Sequence, residues 1–438
     1  MRILLLSASF PPMGGMTPLM AARWVNHLVS RGHSVDVLTI KPSAQHPVYK
    51  LDGSAERLVP PSVRVHRAYA GPVHHLARHI VSDGKGVAAI RAMRERGTRV
   101  GLRQLAASYA RPLMVPDTRV DCLPSVLYGG LRMIRSTRYD VLFSISPPDT
   151  DNLIGWILSR VGRLPWVVHQ GDLWSFGPWT DRNGFPPWRR KLDRAMETRM
   201  LRRMDQVMVL TPEMRDLFIE NFPDLDADKF LMVTVGYDPG EYLTIAPEPS
   251  AGDKFRIVYT GIFFEGYRDP YTFFEAFAEF AQNRDDVELV IAGNVGDQYR
   301  QRVTDLGIER ATDFLGFVNH DRVVALQRGA SALLLLCWVG GYGFPAKTFE
   351  YLGAKRPILA IDYDGMDPAA RVVRDLRRGL VVANDHLRIR DALEQLYSLW
   401  RQGGMAERFA LGDLPDFTWE AMGNKVETAL YRAATARS

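Results

Sequence analysis

The sequence predicts an α/β protein built from two doubly wound, Rossmann-like domains with a deep interdomain cleft. At 438 residues, the chain is too long for one ordinary hydrophobic core, so two domains are expected. Short apolar runs alternate with amphipathic stretches of helical spacing. This alternation occurs twice along the chain and is typical of parallel sheets with crossover helices. The stretch 237–253 is rich in proline, separates the two repeats and is typical of a linker.

The first apolar run marks the beginning of the N-terminal domain. Ile3–Ser9 lacks polar alternation, as expected for a parallel strand buried on both faces. Prolines and glycines follow it rather than a cleavage-like segment, so we interpret it as a strand and not as a signal peptide. We expect the N-terminal domain to span residues 1–237 and the C-terminal domain residues 250–416. A final helix in 417–438 need not stay with the second domain.

Composition excludes several classes of protein. Hydrophobic residues make up 46% and charged residues 24% of the chain, as in ordinary globular proteins. The two cysteines are too few for a disulfide framework and show no zinc spacing, so we expect reduced, buried thiols. No apolar stretch reaches the roughly 18 residues that indicate a transmembrane helix.

Positive charge is concentrated in the first half of the chain. Residues 1–240 hold 32 Lys and Arg against 22 Asp and Glu, whereas the remainder holds 23 against 28. Two basic segments, 78–111 and 188–204, are either solvated helix faces or surfaces for an anionic lipid or a pyrophosphate-bearing acceptor. No helix-turn-helix or RNA-recognition signature occurs, so we expect no nucleic-acid partner. We expect a cytoplasmic protein, with peripheral contact at the inner face of the membrane as a further option.

A glycine pair follows the first predicted strand. Gly14 and Gly15 lie where that strand gives way to a helix, and ligands of doubly wound sheets bind at the carboxyl ends of strands. Glycines let the backbone approach a ligand closely, and the amides that begin the helix favour an anion. The pair is a candidate ligand contact, with a tight structural turn as the alternative.

The most informative stretch is 338–352. A strand is expected to end there, a glycine loop follows, and Pro345 suits the first turn of a helix. The loop and the first helical turn are predicted to hold a diphosphate through unpaired amides, and the candidate contact residues of this segment are Gly343, Phe344, Pro345 and Ala346. Lys347 adds a positive charge, and Glu350, three residues further on the same helical face, can accept hydrogen bonds from both ribose hydroxyls of a nucleotide. An ion-paired surface lysine and glutamate is the alternative.

These motifs resemble those of glycosyltransferase family 4. The segment 343–360, which includes Glu350-Tyr351-Leu352, is similar to the donor-binding motif of that family. The resemblance extends over nearly the whole chain. The segments 146–148 and 165–174 are similar to those of family members that act on the cell envelope or on exopolysaccharides.

The sequence departs from the family pattern at two positions. Tyr342 stands where the first of two glutamates is usual, and Ile262 stands where the first phosphate-binding arginine is usual. The missing glutamate normally contacts hydroxyls of the donor sugar, so the identity of that sugar stays open.

The resemblance implies a retaining glycosyltransferase of the GT-B fold that takes a UDP- or GDP-sugar. The nucleotide sugar is a co-substrate, and neither a cofactor nor a metal is implied. A small-molecule or lipid-linked acceptor would bind to the first domain, and the helix in 417–438 would return to pack on that domain. Two alternatives are a GT-B nucleotide-sugar epimerase and a non-catalytic nucleotide-sugar-binding protein.

The resemblance also implies donor contacts outside the 338–352 stretch. Gly14 and Gly15 lie in the family's first loop, and Gly261 lies in a landmark of the second domain. Arg268 stands where a phosphate-binding lysine is usual, with a local ion pair to its neighbour as the alternative. Phe317 lies at the turn that commonly recognises the base, with a core role as the alternative.

His169 and Asp172 are the candidate catalytic residues. They lie at and just beyond the end of a predicted strand, and in related enzymes this strand end faces the reacting sugar. Either side chain would orient the acceptor hydroxyl or the sugar. The alternatives are a structural histidine at position 169 and a helix or turn cap at position 172.

Overall fold

The computed structural model describes residues 1–42, 51–72, 111–177, 184–250, 252–339 and 344–436. The chain divides into two compact units. Unit 1 comprises Met1–Thr234 together with Met422–Ser438, and unit 2 comprises Val235–Ala421. Each unit contains one parallel sheet with interleaved helices, so the predicted pair of doubly wound α/β domains is confirmed.

Each sheet follows a doubly wound strand order. The strands, in chain order, are β1 (Arg2–Leu6), β2 (Ser34–Ile40), β3 (Arg64–Ala68), β4 (Val141–Ser146), β5 (Trp166–Gln170), β6 (Gln206–Val209), β7 (Phe230–Met232), β8 (Phe255–Thr260), β9 (Val287–Ala292), β10 (Thr312–Gly316), β11 (Ala332–Leu336), β12 (Ile358–Asp362) and β13 (Gly379–Ala383). Unit 1 has the order β3-β2-β1-β4-β5-β6-β7, and unit 2 has the order β10-β9-β8-β11-β12-β13. The paired strands are parallel.

Helices alternate with these strands along the chain. They are α1 (Met16–Ser30), α2 (Leu123–Ser136), α3 (Asp149–Val161), α4 (Pro187–Arg203), α5 (Pro212–Asn221), α6 (Pro239–Thr244), α7 (Tyr271–Ala281), α8 (Asp297–Asp305), α9 (His320–Gly329), α10 (Lys347–Ala354), α11 (Pro368–Asp375), α12 (His386–Arg401), α13 (Met405–Arg408) and α14 (Trp419–Thr435).

The central strands explain why the apolar runs were visible in the sequence. β4 and β11 are buried along their whole length, as expected for parallel strands covered on both faces. β1 ends at Leu6 instead of continuing to Ser9. There the Ser7 hydroxyl donates to the Ser9 carbonyl at 2.9 Å, and this local bond accompanies the end of the strand.

The boundary between the two units lies a few residues N-terminal to the stretch predicted as a linker. The boundary falls between Thr234 and Val235, and Pro239–Thr244 of the predicted linker forms α6. Pro239 is the first residue of this helix, and the Asp238 side chain caps it by accepting from the Gly240 amide at 2.8 Å. Proline is frequent both in linkers and at the first position of helices, and here it has the second role.

The last helix belongs to unit 1. α14 buries Met422, Val426 and Leu430, and its Glu427 carboxylate accepts a hydrogen bond from His33 Nε2 at 2.8 Å. α14 therefore packs with the N-terminal elements rather than with the helices that precede it in the chain.

Each sheet has one switch point, where successive strands stop adding on one side of the first strand and begin to add on the other side. In unit 1 this position lies between β1 and β4, and in unit 2 between β8 and β11. Because all carboxyl ends of a parallel sheet lie at one edge, the loops after these strands leave from the same side. Ligands of doubly wound sheets bind at this switch point, so the loops after β8 and β11 are the first place to search in unit 2.

Three further expectations concern cysteines, membrane spans and metals. Cys122 and Cys337 are free and buried, as expected. Over the part of the chain that the structure describes, no helix has the length and apolar character needed to cross a membrane. In the same residues, no group of three or more His, Cys, Asp or Glu side chains is arranged to hold a metal ion.

Candidate functional site

The loops after β8 and β11 lie together at the switch point of unit 2. The first loop begins at Gly261 and the second at Cys337. The Val339 amide donates to the Tyr267 carbonyl at 3.0 Å and joins the two loops. Residues that are far apart in sequence therefore form one surface at this edge of the sheet.

Three glycines end the neighbouring strands β8, β9 and β10 at this edge. The Gly261 amide donates to the Ala292 carbonyl at 2.7 Å, and the Gly293 amide donates to the Gly316 carbonyl at 2.7 Å. A Cβ atom at Gly293 would lie 1.9 Å from the Gly261 carbonyl oxygen, and one at Gly261 would lie 2.6 Å from Lys347 Nζ. The close approach of these chains requires glycine, and it leaves the backbone bare beside Lys347.

The amino group of Lys347 is buried and is unpaired within the part of the chain that the structure describes. Its Nζ lies 3.8 Å from the centroid of the Tyr259 ring, and among the described residues it has no hydrogen-bond partner. Burial is the main cause that lowers the pKa of this ammonium well below its ordinary value, and the nearby Arg268 guanidinium adds to it. The carboxylate of Glu350 acts in the opposite direction. An ammonium held in this way favours the arrival of an anion.

Arg268 is a second buried cation at the same place. Its side chain lies between two aromatic rings, with the guanidinium carbon 4.9 Å from the Phe264 centroid and 4.7 Å from the Trp338 centroid. Its neighbour Asp269 does not pair with it and instead accepts from the Gly266 amide at 2.5 Å. Aromatic faces stabilise a cation without neutralising it, so the charge of Arg268 remains available to a ligand.

Glu350 lies one helical turn after Lys347 on α10. Its Oε2 accepts a hydrogen bond from Gln327 Nε2 at 3.1 Å, and its side chain is partly exposed. Because the Lys347 ammonium has no hydrogen-bond partner in the described chain, the alternative of a simple surface ion pair between these two residues does not hold. The site thus presents two cations and one carboxylate at one edge of the sheet.

The start of α10 differs from the prediction. The helix begins at Lys347, two residues after Pro345, and Ala346 is its N-cap. The Thr348 amide already donates to the Pro345 carbonyl at 2.9 Å, and the Phe349 amide to the Ala346 carbonyl at 3.1 Å. The Thr348 and Phe349 amides of the first turn are therefore already paired within the chain and are not unpaired donors.

The remaining residues of this stretch are divided between a packing role and an undescribed loop. Phe344 stacks on Phe349 of α10 with ring centroids 4.9 Å apart, so its ring packs against this helix. Gly343 lies outside the described residues.

Phe317 follows β10 and is 54% exposed, which rules out the core role that was its alternative and leaves its ring accessible to a ligand.

The predicted glycine pair of unit 1 lies at the switch point of its own sheet. Gly15 is the N-cap of α1 with a φ of 117°, and Gly14 precedes it in the loop after β1. The structure therefore places the pair at the position expected for a ligand-binding loop of unit 1.

The structure places His169 in the core of unit 1. The side chain is 1% exposed, its Nε2 lies 3.3 Å from the Val233 carbonyl oxygen, and its ring packs edge-on against Trp24 at 4.8 Å. Burial lowers the pKa of His169 to about 4, so the ring is neutral at pH 7. This is the structural histidine that the sequence left open as an alternative, and contact with an acceptor would require the ring to become accessible.

Asp172 lies just beyond β5 and is exposed. It does not cap a helix, because the segment that follows it is irregular. Its backbone carbonyl accepts from Gln170 Nε2 at 2.9 Å, which fixes the loop that carries it. Asp172 is thus the accessible member of the predicted catalytic pair.

Sequence reasoning missed the residues that support the predicted ones. Tyr259 faces the Lys347 ammonium, Trp338 and Phe264 enclose Arg268, and Gln327 holds Glu350. Trp338 opens the stretch 338–352 and Tyr259 lies in the landmark that contains Gly261, but no contact was predicted for either side chain. The only signal was the cluster of aromatic residues around the two loops, which does not by itself identify a partner.

Comparisons with known proteins identify the family of both parts of the chain. Residues 14–236 match the family described as Glycosyl transferase 4-like domain, and residues 254–398 match the family described as Glycosyl transferases group 1. A comparison with curated proteins gave no match.

Solved structures with the same fold share few residues with this chain. Sucrose-phosphate synthase from Thermosynechococcus elongatus is 15% identical, with 100% of each chain covered and a TM-score of 0.67. HepE of Anabaena in complex with UDP and glucose is 15% identical, with 98% of this chain and 99% of that chain covered and a TM-score of 0.63. A putative UDP-N-acetylglucosamine 2-epimerase from Listeria monocytogenes is 11% identical, with 100% and 97% covered and a TM-score of 0.59. The two family matches together span both units, and the chain belongs to the glycosyltransferases with a family 4-like N-terminal domain and is a GT-B glycosyltransferase.

Proposed function

We propose that the protein transfers a hexose-type sugar from a UDP- or GDP-sugar to an acceptor bound by unit 1, in a retaining reaction that needs no metal ion. The observation that carries this proposal is the pair of buried cations at the switch point of unit 2. Among the described residues Lys347 Nζ has no hydrogen-bond partner, and the Arg268 guanidinium donates only to the Ile262 carbonyl at 3.4 Å, so neither cation has a carboxylate partner. A ligand with two adjacent negative phosphates supplies what both lack.

The chemistry of sugar transfer explains why two fixed cations are useful. Cleavage of the anomeric bond leaves positive charge on the sugar and additional negative charge on the departing diphosphate. Cations that are already in place stabilise that charge without reorganisation, and each such contact contributes roughly 2–4 kcal/mol in the transition state. Lys347 and Arg268 thereby take the part that a divalent metal has in other transferases, which is the support for a metal-independent reaction.

Glu350 is proposed to bind the ribose. One of its oxygens accepts a hydrogen bond from Gln327, and its partly exposed side chain lies one turn after Lys347 on α10. A carboxylate can accept hydrogen bonds from both ribose hydroxyls. The exposed ring of Phe317, after the turn at Gly316, is proposed to lie near the base. Structures of Anabaena HepE with UDP and with UDP-glucose support a uridine donor over a guanosine donor.

The acceptor side is proposed to include Asp172 and a basic surface. α4 exposes Trp188 and Leu192, which are 48% and 39% exposed and four residues apart. Arg190 and Lys191 lie exposed beside them. An exposed aromatic and aliphatic pair among basic residues suits contact with anionic lipid and with a lipid-linked acceptor. Almost all of the other basic segment, 78–111, lies outside the described residues.

A donor panel tests the proposed reaction. The full chain is incubated with UDP- and GDP-sugars in the presence of EDTA, and binding is followed by thermal shift and products by mass spectrometry and NMR. We expect stabilisation by one nucleotide series, since a ligand of the native state raises stability, and a product whose anomeric configuration matches that of the donor. Isomerised sugar without transfer would instead indicate an epimerase, and binding without turnover would indicate a non-catalytic binding protein.

A further inference from the structure

Gln327 is a buried amide that contacts the carboxylate of the candidate ribose site. It lies on α9 and is 0% exposed. Its Nε2 donates to Glu350 Oε2 at 3.1 Å and to Thr260 Oγ1 at 3.2 Å. Its Oε1 accepts from the Tyr242 hydroxyl at 2.8 Å. Both N–H groups and the carbonyl oxygen of the amide therefore have a partner.

The partners determine which way the amide points. An ionised Glu350 only accepts hydrogen bonds, so the NH₂ group must face it. The Tyr242 hydroxyl, on α6, donates to the opposite end and holds the carbonyl oxygen away from the carboxylate. A rotated amide would set its carbonyl oxygen against Glu350, which cannot donate, and would lose that hydrogen bond. The orientation is thus fixed by the protein before any ligand arrives.

The network also connects the two elements that carry the site. Thr260, the last residue of β8, accepts from Gln327, and its amide and hydroxyl donate to the Tyr351 hydroxyl at 3.0 and 3.3 Å. Tyr351 is the neighbour of Glu350 on α10. Gln327 therefore joins α10 to β8 and α6 through polar contacts in the interior of unit 2.

Glu350 depends on this single contact for its orientation. In the described part of the chain, Gln327 is the one residue that donates a hydrogen bond to its carboxylate. Oε2 is occupied and Oε1 is left for a ligand. Fixing a side chain in its binding conformation lowers the entropy lost when the ligand binds.

We infer that Gln327 is a positioning residue that holds Glu350 in place for the ribose hydroxyls of the nucleotide. The inference rests on the proposed function, because it assigns the ribose to Glu350. Its distinctive consequence is that Gln327 contributes to affinity only when the nucleotide carries those hydroxyls.

The test compares nucleotides with and without ribose hydroxyls. The full chain is titrated calorimetrically with UDP and 2′,3′-dideoxy-UDP, and with GDP and its dideoxy form. Wild type, Gln327→Met and Tyr242→Phe are compared. Methionine keeps the length of the side chain without its hydrogen bonds, and phenylalanine removes only the hydroxyl that orients the amide.

For the nucleotide series that binds, we expect wild type to prefer the ribose form by roughly 10- to 100-fold, the range for hydrogen bonds to a charged group. Gln327→Met should reduce that preference at least about fivefold, with affinity for the dideoxy form changed less than about twofold. Tyr242→Phe should reduce the preference in the same direction by a smaller factor.

The possible outcomes distinguish a failure of the role proposed for Gln327 from a failure of the proposed function. Equal loss of affinity for both forms in Gln327→Met, or an unchanged preference in both variants, would show that Gln327 has only a structural role. If Gln327→Met does not fold, the result for Tyr242→Phe decides the question. Wild type that binds neither UDP nor GDP would overturn the proposed function and this inference with it.

Discussion

Lys347 and Arg268 are the two cations of the proposed diphosphate site. Each cation lies against aromatic rings, on Tyr259 in one case and between Phe264 and Trp338 in the other. A cation–π contact contributes about 0.5–2 kcal/mol, less than the cost of burying the charge. The ligand-free site is therefore incompletely compensated, and binding of an anion removes the deficit.

Substitution of Lys347 should separate stability from binding. We expect Lys347→Met to raise the free energy of unfolding of the ligand-free protein by roughly 1–3 kcal/mol, because a buried unpaired charge is replaced by an apolar chain. Affinity for UDP or GDP should fall about 10- to 100-fold. Chemical denaturation and calorimetric titration measure the two effects. Lys355→Met is the control, since Lys355 is partly exposed and pairs with Asp413; a loss of stability in Lys347→Met would contradict the account.

The same lysine should make ligand-free stability depend on pH. Its pKa is lowered in the folded state, so between the folded and unfolded pKa values the unfolded chain binds more protons. Stability then rises with pH through this window, and the penalty is fully present below it. The rise should be absent in Lys347→Met and should be smaller with UDP bound, because phosphate restores the charged form. Denaturation curves from pH 7 to 10, with and without UDP, measure it.

His169 should make the protein less stable as the pH falls into the acid range. Burial lowers its folded pKa from 6.5 to about 4, so the unfolded chain takes up a proton first. The stability that depends on the neutral ring is complete above pH 6.5 and is lost as the pH falls toward 4, by about 3 kcal/mol. The difference in unfolding free energy between wild type and His169→Phe, followed from pH 7 to 4.5, reports this loss. An equal pH dependence of both proteins would mean that His169 is not neutral in the core.

The side chains predicted from sequence were those with a motif around them. Lys347 and Glu350 were found because a glycine loop and a helix start surround them, and the structure joins them to Arg268 at one switch point. Gln327 and Tyr259 were not found, because their roles depend on contacts between elements that are distant in sequence. The alternative offered for His169 was the one that the structure shows, since a strand alone does not reveal what covers its end.

Among the strands, burial decided which could be predicted. The central strands appear as continuous apolar runs, whereas β3, β10 and β13 lie at sheet edges and are only partly buried. Edge strands lack the apolar run that makes a strand visible. The start of α10 was placed two residues early because Pro345 is equally compatible with a turn before a helix and with its first residue.

The glycines at the ends of β8 and β9 give a prediction about the strand ends. Gly293→Ala should lower the free energy of unfolding of unit 2 by roughly 3–4 kcal/mol, because its Cβ would meet the Gly261 carbonyl oxygen and its backbone has a φ of 154°. Gly307→Ala, with positive φ and open space around it, should cost only roughly 1–2 kcal/mol. Denaturant titration compares the two variants; equal losses would show that the contact with Gly261 has no effect.

The whole chain forms two compact units, and its last helix packs in unit 1 although it follows unit 2 in the sequence. α14 leaves the sequence of unit 2 and buries Met422, Val426 and Leu430 in unit 1. The length of the chain indicated two domains, and its repeated alternation indicated their class. The position of the boundary was less visible, since the prolines of 237–253 belong partly to α6.

Destabilisation of α14 should affect unit 1 alone. Leu430→Ala creates a cavity and should cost roughly 2–5 kcal/mol in the unfolding transition of unit 1. Affinity for UDP or GDP should stay within about twofold of wild type, because the candidate site lies in unit 2. Differential scanning calorimetry and nucleotide titration measure the two quantities, with Tyr431→Ala as an exposed neighbour for comparison. A large loss of nucleotide affinity would contradict the assignment of the site.

The most direct test is the position of the diphosphate in a crystal structure of the full chain bound to UDP or GDP. We predict phosphate oxygens within hydrogen-bonding distance of Lys347 Nζ and the Arg268 guanidinium, and ribose hydroxyls that donate to the Glu350 carboxylate. A nucleotide bound elsewhere, or one whose phosphates avoid both cations, would contradict this prediction.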